Sequence, residues 1–228
     1  MNRDENLFFA KKLFVELVFN SAYIEGCNVT FPQTQTILDG AVVNNVAVSD
    51  IQTVLNLRDG WKYVLGHIDD DLNLDFICKV NEFVSRNESL DWGVLRTGSV
   101  GISGTDFKPA VPDKNDVTHK LQDMKRIEDP VDQALQVFCY AVRNQLFWDG
   151  NKRTATMIAN KILIQSGKGL LTIDSKNAEE FNQSLLHYYN TADRGPLLAC
   201  LNKCLKVMER NVSMEKAKTV SDKEELER

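Results

Sequence analysis

The chain has 228 residues, 43% of them apolar and 26% charged, with a net charge of −5 from 27 Lys plus Arg against 32 Asp plus Glu. That length allows one sizeable core, and the composition is that of a globular chain rather than a disordered or fibrous one. A mildly acidic sequence with no basic arm or stripe is a poor fit for direct binding of nucleic acid by charge.

Residues 4–24 predict the first helix, with Leu7, Phe8, Leu13, Phe14, Leu17, Val18 and Tyr23 on a wide apolar face and Gly26 as its stop. Lys11, Lys12 and Glu16 interrupt the apolar run, so no membrane span is expected there. Glu25 sits at the helix C-terminus, against the dipole, and is unfavourable unless a cation meets it; a solvated carboxylate is the plain alternative. Thr30-Phe31-Pro32 opens a short helix to residue 40. Ser49, with Gln52 three residues on, predicts a capped helix to residue 67 with Val54, Leu55, Trp61, Val64 and Leu65 inward. Another helix is expected over 73–86. Residues 92–112 break the pattern with four glycines and two prolines; the alternation from Val100 to Thr105 predicts a small β-hairpin flap, the one β element expected. Helices follow over 113–127, capped by Asp113, and 131–146. Beyond them come helices at 152–165, 176–190 and 195–210, with a short extended piece at 170–173. The result is a mainly α chain of eight or nine helices with one hairpin, a single domain over 1–210 and a polar, disordered tail over 211–228.

Five scattered cysteines form no CxxC pair and no metal-ligand spacing. Cys139 reads as core, and Cys200 and Cys204 stand one helical turn apart. With no signal peptide in view, a reducing cytoplasm is expected.

Phe147-Trp148-Asp149-Gly150-Asn151-Lys152-Arg153 joins two apolar helices. The second helix begins with free backbone N–H groups beside two cations, an arrangement that attracts phosphate. Asp149 is placed to hold a divalent cation that bridges phosphate oxygens. A surface turn before a charged helix start is the plain alternative.

Three separated segments resemble the Fic (Fido-domain) family. Gln145-Leu146-Phe147-Trp148-Asp149-Gly150-Asn151-Lys152-Arg153 is similar to its motif H-x-F-x-(D/E)-G-N-(G/K)-R, and the N-K-R variant is similar to the Doc kinase branch. Gly93-Val94-Leu95-Arg96 through Gly104-Thr105 to Pro109 and Pro112 resembles the flap that precedes it. Ser21-Ala22-Tyr23-Ile24-Glu25-Gly26 resembles the (S/T)-x-x-x-E-(G/N) inhibitory motif of members with an N-terminal autoinhibitory helix, here residues 4–26. The resemblance implies a Fic/Fido helical fold and a protein adenylyltransferase that moves AMP from Mg²⁺-ATP to a Ser, Thr or Tyr hydroxyl of a target protein. It implies that Asp149 coordinates Mg²⁺ and that Gly150, Asn151 and Lys152 form the anion hole. Arg153 would touch phosphate, and Phe147 would anchor the loop. Gly104 and Thr105 would sit on the flap that aligns the target by strand pairing, and Glu25 would block the γ-phosphate. A homodimer is compatible with it.

Two positions depart from the family pattern across residues 145–156. Gln145 stands where the family has its general-base histidine, and glutamine has no usable basicity. Of the three histidines, His67, His119 and His187, only His119 is even a remote substitute. Thr156 stands where the arginine that pairs with the inhibitory glutamate is expected; Glu25 should then pair with Arg153 or Lys152, or stay solvated. Three readings follow: a nucleotide-binding adenylyltransferase with slow chemistry, a non-catalytic binding module, and a phosphoryl transferase of the Doc type.

Overall fold

The helix Asn151–Gln165 is buried along most of its length, with Ala155, Met157, Ile158, Ala159, Ile162, Leu163 and Ile164 spread around it. In the computed structural model, which describes residues 1–207, the other elements gather around it. In chain order they are α1 (Arg3–Lys12), α2 (Phe14–Ile24), α3 (Phe31–Leu38), α4 (Val48–Gly66), α5 (Leu74–Val84), α6 (Lys114–Met124), α7 (Pro130–Asn144), this central helix as α8, β1 (Leu170–Leu171), α9 (Ala178–Thr191), α10 (Gly195–Lys203) and β2 (Leu205–Lys206). The chain is thus mainly α, as expected. α7 packs most closely on α8, and α1, α4, α5 and β1 cover its remaining sides. The polar groups on α8 are matched inside the core. Asn160 donates to the Leu171 carbonyl at 2.8 Å and accepts from its N–H at 2.9 Å, and Lys161 Nζ donates to the Ile68 carbonyl at 2.9 Å.

Several expectations are corrected. The span 4–24 is two helices, since Leu13 (φ −92°, ψ 12°) ends α1 and precedes α2 without a glycine or proline to announce it. Ser49 is not the cap of α4: the helix starts at Val48, Ala47 precedes it without a side-chain bond, and Ser49 accepts through its carbonyl from Thr53 Oγ1. The last helix stops at Lys203, and Leu205–Lys206 turns back to pair antiparallel with Leu170–Leu171. This pair is the two-stranded sheet of the described residues. Residues 92–112 carry no paired strand, because their carbonyls are engaged by a buried arginine rather than by a facing strand. The tail expected at 211–228 lies outside the described residues. Among those residues no helix is long and apolar enough to cross a membrane, and all five cysteines are free thiols.

Candidate functional site

Two left-handed residues shape the loop between α7 and α8. Gln145 ends α7 at φ 45°, ψ 63°, and Gly150 precedes α8 at φ 72°, ψ 13°. Glycine is required at 150 on two counts: the conformation is one that side chains resist, and a Cβ would lie 3.2 Å from atoms of Asn81, Val84 and Ser85. No side chain caps α8. Asp149 Oδ1 accepts from the Gly150 N–H at 2.6 Å, and the next N–H groups, of Asn151 and Lys152, lie in the first turn, where a helix offers no partner of its own.

The Asn151 side chain closes the loop on itself. Its oxygen accepts from the Phe147 N–H at 2.9 Å; its nitrogen donates to the Phe147 carbonyl at 2.9 Å and to Gln145 Oε1 at 3.0 Å. Phe147 is buried beneath, as expected. The Gln145 amide nitrogen donates to the Val142 carbonyl at 2.7 Å and to the Tyr189 hydroxyl at 3.1 Å. Both ends of the amide are therefore engaged within the protein. Burial pushes the Tyr189 phenol well above its ordinary pKa, so it stays protonated.

A cleft of about 480 Å³ opens over this loop. Gln145, Trp148, Asp149, Asn151 and Lys152 form one wall, with Glu25 beside them. Gly101, Ile102 and Ser103 face them from the 92–112 segment, and α9 closes the cleft with Asn182, Leu185, Leu186 and Tyr189. No histidine is among the lining residues. Gly104 and Thr105 stand just beyond the lining: Gly104 lies against Leu186, and Thr105 Oγ1 donates to Asn190 Oδ1 on α9.

Lys152 and Arg153 point differently, as consecutive residues on a helix must. Lys152 reaches the cleft, donates to the Ile24 carbonyl at 3.3 Å and pairs with Glu25 at 3.6 Å. Arg153 is 4% exposed and turned inward. It donates to Glu88 at 2.6 Å, to the Val84 carbonyl and to Asp149 at 3.1 Å, and its Nε lies 3.6 Å from Glu25. Burial pulls its pKa down, but Glu25, Glu88 and Asp149 outweigh that and raise it. With Thr156 in place of the expected arginine, Glu25 is thus met by Lys152 and Arg153, its side chain 16% exposed. Ser21 Oγ donates to the Leu17 carbonyl at 2.7 Å, and Gly26 takes φ 82° just after Glu25.

Three positioning residues carried no assigned role in the sequence. Arg96, 1% exposed, donates from Nε to the Gln145 carbonyl (2.5 Å), from one terminal nitrogen to Gly98 (2.5 Å), and from the other to Ala110 (2.6 Å), Pro109 (3.2 Å) and Asn144 (3.3 Å). It clamps both arms of the 92–112 segment onto the end of α7, where a cation also suits the dipole. Asn81 donates to the Asp149 carbonyl at 2.9 Å and accepts from the Gly93 N–H at 3.0 Å. A polar residue on the apolar face of α5, beside Ile77, Val80 and Val84, was the available signal for it. Glu88, in a connector without pattern, had none.

Residues 71–163 match the sequence profile described as Fic/DOC family. The chain is 25% identical over 198 residues to Protein adenylyltransferase fic-1 of Caenorhabditis elegans, covering 82% of this chain and 38% of that protein. It is 23% identical to Protein adenylyltransferase Fic of Nematostella vectensis, covering 92% and 50%. It therefore spans half or less of the length of these curated relatives. In fold it is similar to a Fic domain containing signaling protein from Bacteroides thetaiotaomicron, with a TM-score of 0.72, 21% identity and coverage of 88% and 86%. A fragment of Fic-1 from C. elegans gives 0.69, 24%, 84% and 59%. The profile match over residues 71–163, the adenylyltransferase relatives and the shared helical fold make this chain similar to proteins of the Fic/DOC family.

Proposed function

We propose that the cleft seats the phosphates of ATP at the start of α8 and that the chain is built for AMP transfer to a protein hydroxyl, with its proton-transfer step impaired. The carrying observation is one cleft wall that combines free first-turn N–H groups, Lys152, Asp149 and the residue at the base position, faced by the 92–112 segment. Lys152 is the cation that meets phosphate, and Arg153 supports it from behind by fixing Asp149 and Glu88. The relatives are protein adenylyltransferases, and it is from them that the reaction class is taken.

Transfer forms a bond from the target oxygen to the α-phosphorus, breaks the bond to pyrophosphate and releases the hydroxyl proton. A histidine at 145 would take that proton. The Gln145 amide cannot, and losing a positioned base costs on the order of 10²–10⁴ in rate. Among the described residues no three metal-ligating side chains cluster, so the fit to Mg²⁺ is that of one carboxylate, Asp149, with phosphate and water supplying the other ligands, a usual arrangement for that ion. Bound there, Mg²⁺ would offset phosphate charge. Gly101–Ser103, with Gly104 and Thr105 next to them, would line up the target chain, and Glu25 would hold the place of a terminal phosphate. The free thiols suit a reducing, cytoplasmic setting.

The closure of the Gln145 amide on Val142, Tyr189 and Asn151 favours a second reading, a non-catalytic module that binds nucleotide and partner without transfer. Calorimetry with ATP and Mg²⁺, and transfer of labelled AMP by the natural chain and by Gln145→His, separate the two. Heat of binding with transfer only in the variant supports the impaired enzyme. Binding with no transfer in either supports the module, and no binding at all removes both. A mass shift of phosphate rather than AMP on the target identifies transfer of the Doc type.

A further inference from the structure

Among the described residues, two buried side-chain polar atoms have no hydrogen-bond partner: Trp61 Nε1 and Arg153 Nε. Both side chains line the same cavity, of about 10 Å³, between α2, α4, α8, the 171–173 segment and α9. Native proteins leave few buried donors unmatched, because stripping a donor of water costs free energy that nothing returns. Two such donors on one cavity point to a shared acceptor.

The size of the cavity and its chemistry select that acceptor. A space of this volume holds about one water molecule. Two N–H donors repel a cation. An anion would accept from both but would stand against the Glu25 carboxylate, which lines the same cavity and lies 3.6 Å from Arg153 Nε. The occupant must also donate toward Glu25. Either of two hydroxyls can serve as the second acceptor: Thr156 Oγ1 gives its proton to the Lys152 carbonyl at 2.9 Å, and Ser21 Oγ gives its proton to the Leu17 carbonyl at 2.7 Å, so each oxygen keeps a lone pair. Two donors in and two acceptors out is the valence of water.

We infer that one internal water molecule occupies this cavity, accepts from Trp61 and Arg153, and donates to Glu25 and to a neighbouring hydroxyl. Thr156 matters because its short side chain leaves the space that a longer one would fill. Glu25 also lines the larger cleft over residues 145–152, so the water joins its docking contacts to those of Lys152 and Arg153. The inference stands on cavity, donors and carboxylate, and does not require the proposed reaction.

The test is a crystal structure of the unmutated protein fine enough to place waters, together with solution NMR. The expected result is one ordered water within hydrogen-bond distance of both nitrogens. In solution, the Trp61 indole proton, identified by its loss in Trp61→Phe, gives a cross-relaxation peak to a long-lived water. An empty cavity, or Glu25 turned inward to accept both donors itself, overturns the inference. So does a Trp61 indole proton with no contact to water, which also covers the case in which the phenylalanine variant fails to fold, since Trp92 and Trp148 are then assigned by their own replacement.

Discussion

Asn151 Nδ2 donates to Gln145 Oε1 at 3.0 Å, so the amide that ends α7 is locked to the first residue of α8. The bond joins the position where the proposed reaction would need a base to the loop that would hold phosphate. Restoring an imidazole with Gln145→His keeps a side chain beside Tyr189 and Asn151 but adds a group that titrates near neutrality. The expected outcome is a gain of roughly 10²-fold or more in AMP transfer with little change in ATP affinity, read by labelled-AMP incorporation and calorimetry. Unchanged transfer would mean that the base is not what the site lacks.

Lys152 and Arg153 should separate cleanly under mutation. Lys152→Ala removes a cleft cation that is part-exposed, so ATP affinity should fall by about tenfold, 1.4 kcal/mol, with the melting temperature nearly unchanged. Arg153→Met strands Glu88 and Asp149 and should cost about 3–5 kcal/mol of stability, the usual loss when one partner of a buried ion pair goes. Glu88→Gln combined with Arg153→Met should cost less than the sum of the two, because part of each single cost is the loss of the same 2.6 Å pair. Equal effects of Lys152→Ala and Arg153→Met on affinity, at equal stability, would overturn this division.

Arg96 predicts a coupling between the flap and the loop. Arg96→Met leaves the carbonyls of Gly98, Pro109, Ala110, Asn144 and Gln145 without their shared donor. Hydrogen exchange should rise across 97–110 and at the end of α7, while α9 and α10 stay protected. Burial lowers the Arg96 pKa, but its ordinary value is so high that the charge persists at neutral pH. Arg96→Lys keeps the charge but not the fork, and should therefore restore stability only in part. Exchange unchanged across 97–110 would show that the segment is held by something else.

The parts of the site readable in the sequence are those set by local chemistry. Gly150 after Asp149 and the helical spacing on either side announce a glycine turn into a helix start, and Gly150 does take the left-handed conformation ahead of an uncapped α8. The direction of Arg153 was not readable. The sequence places it beside Lys152, but a helix turns about 100° per residue, and that rotation sends it under the surface to Glu88, a residue 65 positions away. The 92–112 segment misled for a related reason. Alternation from Val100 to Thr105 is a local signal for strand, whereas the fate of the backbone there is set by one distant side chain, Arg96, and by the ring of Trp148, which lies 2.7 Å from where a Cβ of Gly98 would be. The pairing of Glu25 with both Lys152 and Arg153 was legible only through the missing arginine at 156, since a docked carboxylate needs some cation.

The buried acids predict alkaline lability. Burial pushes the Cys139 thiol up to about 12, and the Cys27 and Cys78 thiols up to about 11, against an ordinary value near 9. The Tyr189 phenol is raised as well. Each of these groups is neutral when protonated, and the folded protein holds its proton at a pH where the unfolded chain has already released it. The unfolded state therefore binds fewer protons above pH 9, and stability falls as pH rises. The contribution is complete below the unfolded value and is lost progressively from about pH 9 to 12, each tenfold difference in acidity being worth about 1.4 kcal/mol. Melting temperature followed from pH 7 to 11 should be level at first and then decline. Cys139→Ala should flatten the decline while lowering the plateau, since it removes the titrating thiol and also leaves a gap on the side of α7 that faces Met124 and Tyr188. A melting temperature that holds constant to pH 11 would mean that these thiols meet solvent freely.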